Sequence, residues 1–245
     1  MSTPPTRQVT VTALESFPTI TAGDDLTHAI TTTLNIQNLT LADDDILVVA
    51  SKVVSLSEHR AVDLDTVTPT ARAHELSQAT GKPPEIIQVI LDESVDYHLA
   101  TPTGPIIARH RLGYELTSAG VDRDRTTRQA WLLPTNPDAS ARALRDTLTA
   151  ATGVRLAVIV ADSDGRPDRH GSTVIALGAA GIHPLRTTEH AGKTHHETLT
   201  DLAAGAAGIT LGQRGRGAPV TVLRGLHYHH SDAGIGSVLH HGQQR

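Results

Sequence analysis

One Phe, one Trp and three Tyr are all the aromatic side chains available to this 245-residue chain. Its interior must therefore be assembled from Val, Ile, Leu and Ala. Such a core suits central strands buried on both faces and covered by Ala-rich helices. The sequence carries the matching runs: "ILVV" (Ile46–Val49), "RLAVIVA" (Arg155–Ala161) and "APVTVLRGL" (Ala218–Leu226) each read as a buried strand. "VTVTAL" from Val9 alternates like a strand exposed on one face. Between these lie helical stretches, so the alternation predicts an α/β fold, and 245 residues suit one large α/β domain or two small lobes.

The helices announce themselves by their ends. "AGDDLTHAITTTLNI" starts at Asp24 or Asp25, and "NPDASARALRDTLTAATG" has Asn136 before Pro137 and closes on Gly153. "TPTARAHELSQATGK" is expected to be capped by Thr68 with Pro69 in its first turn. "PPEIIQVILDESV" sets Ile86, Ile87 and Ile90 on one face, and "TLTDLAAGAAGITLG" is an Ala/Gly-rich helix whose small residues permit close packing. The stretch after Pro102 reads as extended and hairpin-like, and the residues from His227 onward as irregular.

Composition removes several classes of function. There is no Cys, which excludes disulfides and thiolate metal sites. The net charge is −5 with no long Lys/Arg block, so nucleic acid is not the expected partner. The first residues lack the apolar core of a signal peptide, and no apolar run is long enough to span a bilayer. A cytoplasmic protein without a membrane partner is the expectation.

Three stretches could carry chemistry. In "VIVADSDGRPDRHGS" the strand runs into Asp162, Ser163 and Asp164, then Gly165, Arg166 and Arg169. Carboxylate and hydroxyl oxygens are hard ligands for Mg²⁺ or Mn²⁺, and forked guanidinium groups clamp phosphate or carboxylate. Spacing alone is equally compatible with a solvated Asp-rich turn. In "SAGVDRDRTTRQ", Asp122 precedes Arg123, Arg125 and Arg128; paired in space with Asp162 it would complete a two-carboxylate metal site, and otherwise it belongs to an exposed loop. In "VVASKVVS", Ser51 and Lys52 follow an apolar strand and could meet a phosphate, although the glycines of a P-loop are absent. The fifteen histidines include His195–His196, His227/His229/His230 and His240–His241, which lack fixed helical spacing and read as exposed loop residues rather than a zinc or nickel site.

Together these segments resemble the coenzyme F420-0:L-glutamate ligase family. "DDDILVVASKVVSLSEHR" is similar to the family's "GDVVVVTSKVVSKAEGR", "AGVD…LLPTNPDASA" to "AGVDxSN…LLPxDPDxSA", and "VIVADSDGRPDRHGSTVIALGAAGIHPL" to "VVITDTxGRPWRxGQTDxAIGxAGIxPL". The resemblance implies a single domain over 1–245 with a two-lobed, mixed-sheet α/β fold, in an intertwined homodimer. It also implies a GTP- and divalent-metal-dependent ligase, in which a small-molecule carboxylate is phosphorylated and an amine, L-glutamate in the parent family, displaces the phosphate. By the same resemblance Asp122, Asp162 and Ser163 hold the metal, while Ser51, Lys52 and the segment Ser16, Phe17, Pro18, Thr19 meet the nucleotide. Arg166 and Arg169 are expected to meet anionic substrate groups in catalysis. The chain departs from the family pattern at Leu56 (a lysine there), at Asp124–Arg125 (Ser-Asn), Asp168 (Trp), Ser172 and Val174 (Gln and Asp) and Asp201–Leu202 (Asp-Glu), and it is shorter between Leu185 and Asp201. Those departures leave open a relative acting on another acid and amine, a nucleotide-independent chemistry drawing on His195, His196 or Glu197, and a non-catalytic nucleotide- or partner-binding homologue.

Overall fold

The aliphatic runs form the middle of a five-stranded sheet. The structure is a computed structural model and describes residues 8–124, 127–211 and 217–240. It begins with β1 (Thr10–Ala13), α1 (Leu26–Ile36), β2 (Ile46–Ala50), α2 (Ser51–Ser57) and β3 (Ala61–Asp63). Then follow α3 (Ala71–Thr80), α4 (Pro84–Asp92), β4 (Ser94–Leu99), β5 (Ile106–His110) and β6 (Glu115–Thr117). Two short strands come next, β7 (Asp122–Arg123) and β8 (Gln129–Trp131), before α5 (Pro137–Thr152) and the long pair β9 (Ala157–Gly165) and β10 (Ser172–Ala180). The chain continues through β11 (Leu185–His190), β12 (Lys193–Thr198), α6 (Leu199–Ala207) and β13 (Val220–Arg224).

The large sheet has the order β1-β13-β2-β9-β10, with β2 and β9 parallel and the other pairings antiparallel. Its central strands, β13, β2 and β9 as far as Ala161, are buried on both faces, as their composition requires. Leu47, Val49, Val158 and Val160 pack toward α1 and α5, whereas Ile46, Val48, Ile159 and Ala161 pack toward α6. Tyr114 is the one aromatic ring buried in the core of the described residues. A separate cluster joins α3, α4, β5 and β8 through Leu76, Ile87, Ile90, Ile106 and Ala130. Two three-stranded sheets, β3-β8-β7 and β4-β5-β6, belong to that part of the molecule.

The helix caps follow local chemistry. Asn136 caps α5 by accepting from the Ala139 N–H at 3.0 Å, and Gly153 ends it with φ of 72°. Asp25, not Asp24, caps α1 through the His28 N–H. The third helix corrects the sequence reading: its cap is Thr70, not Thr68. Thr70 accepts from the Ala73 N–H while its own N–H and hydroxyl donate to Gln88 Oε1 of α4, so contact with the neighbouring helix selects the cap. The small residues of α6 are spent inside the chain, because Ala203, Ala204 and Ala207 are buried in the same cluster as Ala176 and Leu177 of β10. The segment between Leu185 and Asp201, where the chain is shorter than the family pattern, is a β-hairpin turned by Ala191 and Gly192, both at positive φ.

Two polar fastenings tie distant segments together. Glu93, 5% exposed, caps the end of α4 and faces His110 Nε2 at 3.2 Å, Arg60 at 3.9 Å and Arg111. Burial opposes the Glu93 charge, yet the bond to His110 and the nearby Arg111 hold its carboxyl below the usual range. Asp138, in the first turn of α5, accepts three backbone N–H groups: Ala179 of β10 at 2.9 Å, and Ile235 and Gly236 of the C-terminal segment at 2.8 and 2.9 Å. Asp232 adds a bond from the Gly181 N–H and an ion pair with Arg145.

Candidate active site

The parallel pair β2 and β9 ends side by side, Ala50 opposite Ala161. In α/β sheets the strand ends leave a crevice for ligands. Here β2 passes directly into α2, so Ser51 and Lys52 open a helix where the sequence suggested only the end of a strand. The fourth strand of the order, β9, continues past Ala161 and carries Asp162 and Ser163 beside them. A cavity of about 560 Å³ opens there. One wall comes from the large sheet and its extensions: Ser51, Lys52, Asp162 and Ser163, with Phe17, Pro18 and Thr19 from the β1–α1 connection. The other comes from β7, which supplies Asp122 and Arg123.

Residues from five separate parts of the sequence therefore meet at one cavity, the fifth being Gly217 and Pro219 just ahead of β13. Ser16 stands just outside its lining, exposed and at φ of 53°. Leu56 lines the cavity at the position where the resemblance leads one to expect a lysine. Arg166 and Arg169 do not line it. They occupy the exposed turn between β9 and β10, where both lie near Asp168, at 3.7 and 3.4 Å. Arg125 lies outside the described residues, as does His241.

The electrostatics centre on Asp162. Its side chain lines the cavity, and burial pushes its carboxyl up to about 7. The negative charge of Asp122 pushes the same way, whereas the Ser163 backbone N–H and the Ser51 hydroxyl donate to the carboxylate and act against the rise. Two carboxylates that oppose each other's ionisation form a place for a cation. With the Ser163 hydroxyl they make an all-oxygen set suited to Mg²⁺ or Mn²⁺, ions that keep several waters and take few protein ligands. Among the described residues no group of three or more His, Asp or Glu is placed to hold a metal, so the histidines form no such site there.

Asp164 fixes the geometry from behind. It accepts from the Thr117 N–H at 2.8 Å, and Thr117 Oγ1 donates to the Gly165 carbonyl at 3.1 Å. A Cβ on Gly165 would lie 2.8 Å from Thr117 Oγ1, so glycine is what lets β6 approach β9. The contact holds the chain five residues upstream of Asp122 against the strand that bears Asp162. Sequence reasoning missed it, because Thr117 carries no motif. Arg123 was visible as part of an arginine cluster, but its place in the cavity was not.

The class to which the chain belongs is that of the amide-forming ligases. Residues 15–225 match the family model described as F420-0:Gamma-glutamyl ligase, and the chain belongs to that family. Among individual relatives, it is 33% identical to the coenzyme F420:L-glutamate ligase of Methanothermobacter thermautotrophicus strain Delta H, over 94% of this chain and 95% of that one. The coenzyme F420:L-glutamate ligase of Archaeoglobus fulgidus is 33% identical over 94% of this chain and 92% of its own. That of Methanocaldococcus jannaschii is 34% identical over 76% and 77%.

Proposed function

We propose that this chain is a GTP- and divalent-metal-dependent ligase that joins L-glutamate, through its amine, to the carboxylate of a small acid of the coenzyme F420-0 type. The observation that carries this reading is the single cavity shared by Asp122, Asp162, Ser163, Ser51, Lys52 and Phe17–Thr19. A carboxylate oxygen of the acid attacks the γ-phosphorus of GTP, and the bond to the β–γ bridging oxygen breaks to release GDP. The glutamate nitrogen, as the neutral amine, then attacks the acyl carbon, the bond to phosphate breaks, and the nitrogen gives up one of its two protons to solvent as the amide forms. Asp122, Asp162 and Ser163 would hold a divalent metal, which would neutralise charge on the phosphate oxygens. Lys52 adds a fixed positive charge on the same wall, and Ser51 orients the Asp162 carboxylate. Arg166 and Arg169 reach anionic substrate only by leaving Asp168.

We take the working unit to be a homodimer. Support comes from the hairpin β11–β12, which is exposed along nearly its whole length on both faces. Two strands alone are marginal in water, so a second copy would supply the missing contacts.

The test is calorimetric titration of GTP into the protein with and without Mn²⁺. Metal-dependent binding, lost in Asp162→Asn, is the expected result, followed by phosphate release that requires both acid and amine. Leu56 in the cavity favours a second reading, a relative that has given up the nucleotide contact. Absence of GTP binding with Mn²⁺ present would select it.

A further inference from the structure

The chain reaches Asp122 through a turn of uncommon handedness. Ser118, Ala119 and Gly120, between β6 and β7, have φ of 55°, 53° and 66°. Only the third is glycine. For residues that bear a side chain this conformation is costly, and it persists where the surroundings over-determine it. Here they do. Ala119 is fully buried in the cluster that holds Ile86 and Ile87 of α4, and Val121 packs against the same cluster. Gly120 lies so close to Leu133 that a Cβ there would fall 2.9 Å from Leu133 Cδ2. At the entry to the turn the Thr117 N–H donates to Asp164 Oδ1 at 2.8 Å, and at its exit Asp122 pairs with Trp131 of β8. Asp162 and Asp164 stand two apart on β9 and share a face of it. The stretch from Thr117 to Asp122 therefore meets β9 at two rungs. The first, Thr117 with Asp164, is a hydrogen bond. The second, Asp122 with Asp162 at the cavity, sets two carboxylates together that repel until a cation joins them.

We infer that Thr117 and Asp164 are positioning residues for the metal ligands: their bond seats the left-handed turn against β9, and the turn sets how far Asp122 stands from Asp162. Asp164 acts in this as the acceptor of one backbone N–H, neither as a metal ligand nor through its charge. It stands outside the cavity lining to which Asp162 and Ser163 belong, and the family pattern leaves its position open. The assignment rests on the metal site of the ligase reading above and deepens it. A turn that cannot hold its own conformation is a poor support for a ligand, and the tie at Thr117 supplies what it lacks. The Thr117 hydroxyl adds to the tie by donating to the Gly165 carbonyl at 3.1 Å.

Calorimetric titration of Mn²⁺ alone into the wild type, Asp164→Asn, Asp164→Ala and Thr117→Pro separates the acceptor from the charge. Asparagine keeps an oxygen for the Thr117 N–H and gives up the charge. Proline at 117 keeps the Asp164 charge and removes the N–H; the Thr117 φ of −65° and the strand position of Leu116 admit it. Asp164→Ala and Thr117→Pro should each bind Mn²⁺ about tenfold or more weakly, the loss typical when a group behind a metal ligand is removed. Asp164→Asn should stay within about threefold of the wild type, well under that loss. Trp131, the chain's one tryptophan, stands opposite Asp122 and gives a second readout on the metal-free protein. Its emission should match the wild type in Asp164→Asn and shift in the other two, where β7 is no longer held. Wild-type Mn²⁺ affinity in either Asp164→Ala or Thr117→Pro overturns the assignment while the ligase reading stands. A loss of about tenfold in Asp164→Asn also overturns it, since the charge and not the bond would then be what matters. If one of the two disruptive variants does not fold, the other decides together with Asp164→Asn. A wild type that binds no Mn²⁺ overturns both the metal site of the ligase reading and the positioning role.

Discussion

Asp162 is charged in most proteins' terms and reluctantly so here. Burial and Asp122 raise its carboxyl from 3.8 to about 7 in the folded chain. Between those two values the native protein holds a proton that the unfolded chain has released. Stability of the metal-free protein therefore falls as pH rises from about 4 to about 7 through this group, and its contribution is constant above that. Thermal unfolding of wild type and Asp162→Asn across that window isolates the effect: the variant should lose this part of the pH dependence and melt higher than the wild type at pH 7.5. The same substitution should abolish Mn²⁺ binding in calorimetry, because it removes one of two ligand charges. Both aspartates could be picked out from the sequence, since each follows a recognisable strand end or small-residue turn. That both belong to one site was an expectation of the family resemblance; how the fold brings them to one cavity was not legible, because the link runs through Thr117 and Asp164, 47 residues apart and without a motif.

At the scale of elements, α5 shows what local sequence determines and where it stops. Its cap, its Pro137 and its terminal Gly153 were all visible in the sequence, and Asn136→Ala should cost about 1 kcal/mol in denaturant unfolding. Where the helix docks was not visible. Gly178 of β10 faces the α5 start so closely that a Cβ there would fall 2.2 Å from the Pro137 carbonyl carbon. Backbone cannot yield as a flexible side chain can, so Gly178→Ala should destabilise by about 1–3 kcal/mol, read as a lower denaturation midpoint at unchanged slope. The misplaced cap of α3 has a similar origin. Thr68 and Thr70 are equivalent by local rules, and Gln88 of the next helix decides between them. The β11–β12 hairpin escaped notice because its residues are polar on both faces, which removes the alternation that marks a half-buried strand.

Across the whole molecule the α/β class followed from aliphatic runs separated by capped helices, and the structure has that mixed character. The division into one large and several small sheets did not follow, since β3, β6, β7 and β8 are too short to leave a pattern. The Glu93 cluster binds the end of α4 to β5 and to the chain beyond α2. Glu93→Ala should leave His110 without its partner in the interior and cost about 3 kcal/mol in thermal or denaturant unfolding. The dimer proposed above is checked by sedimentation of the wild type against a form lacking the hairpin tip, the wild type being the heavier species by a factor of about two if the symmetric pairing holds. Finally, the carboxylate of Asp138 bears on the order in which the parts come together. Two of its three backbone donors lie 97 and 98 positions downstream. During synthesis α5 and β10 can meet long before those donors exist, so the closing turn at Ile235 is expected to dock last, as a clasp on an assembled body.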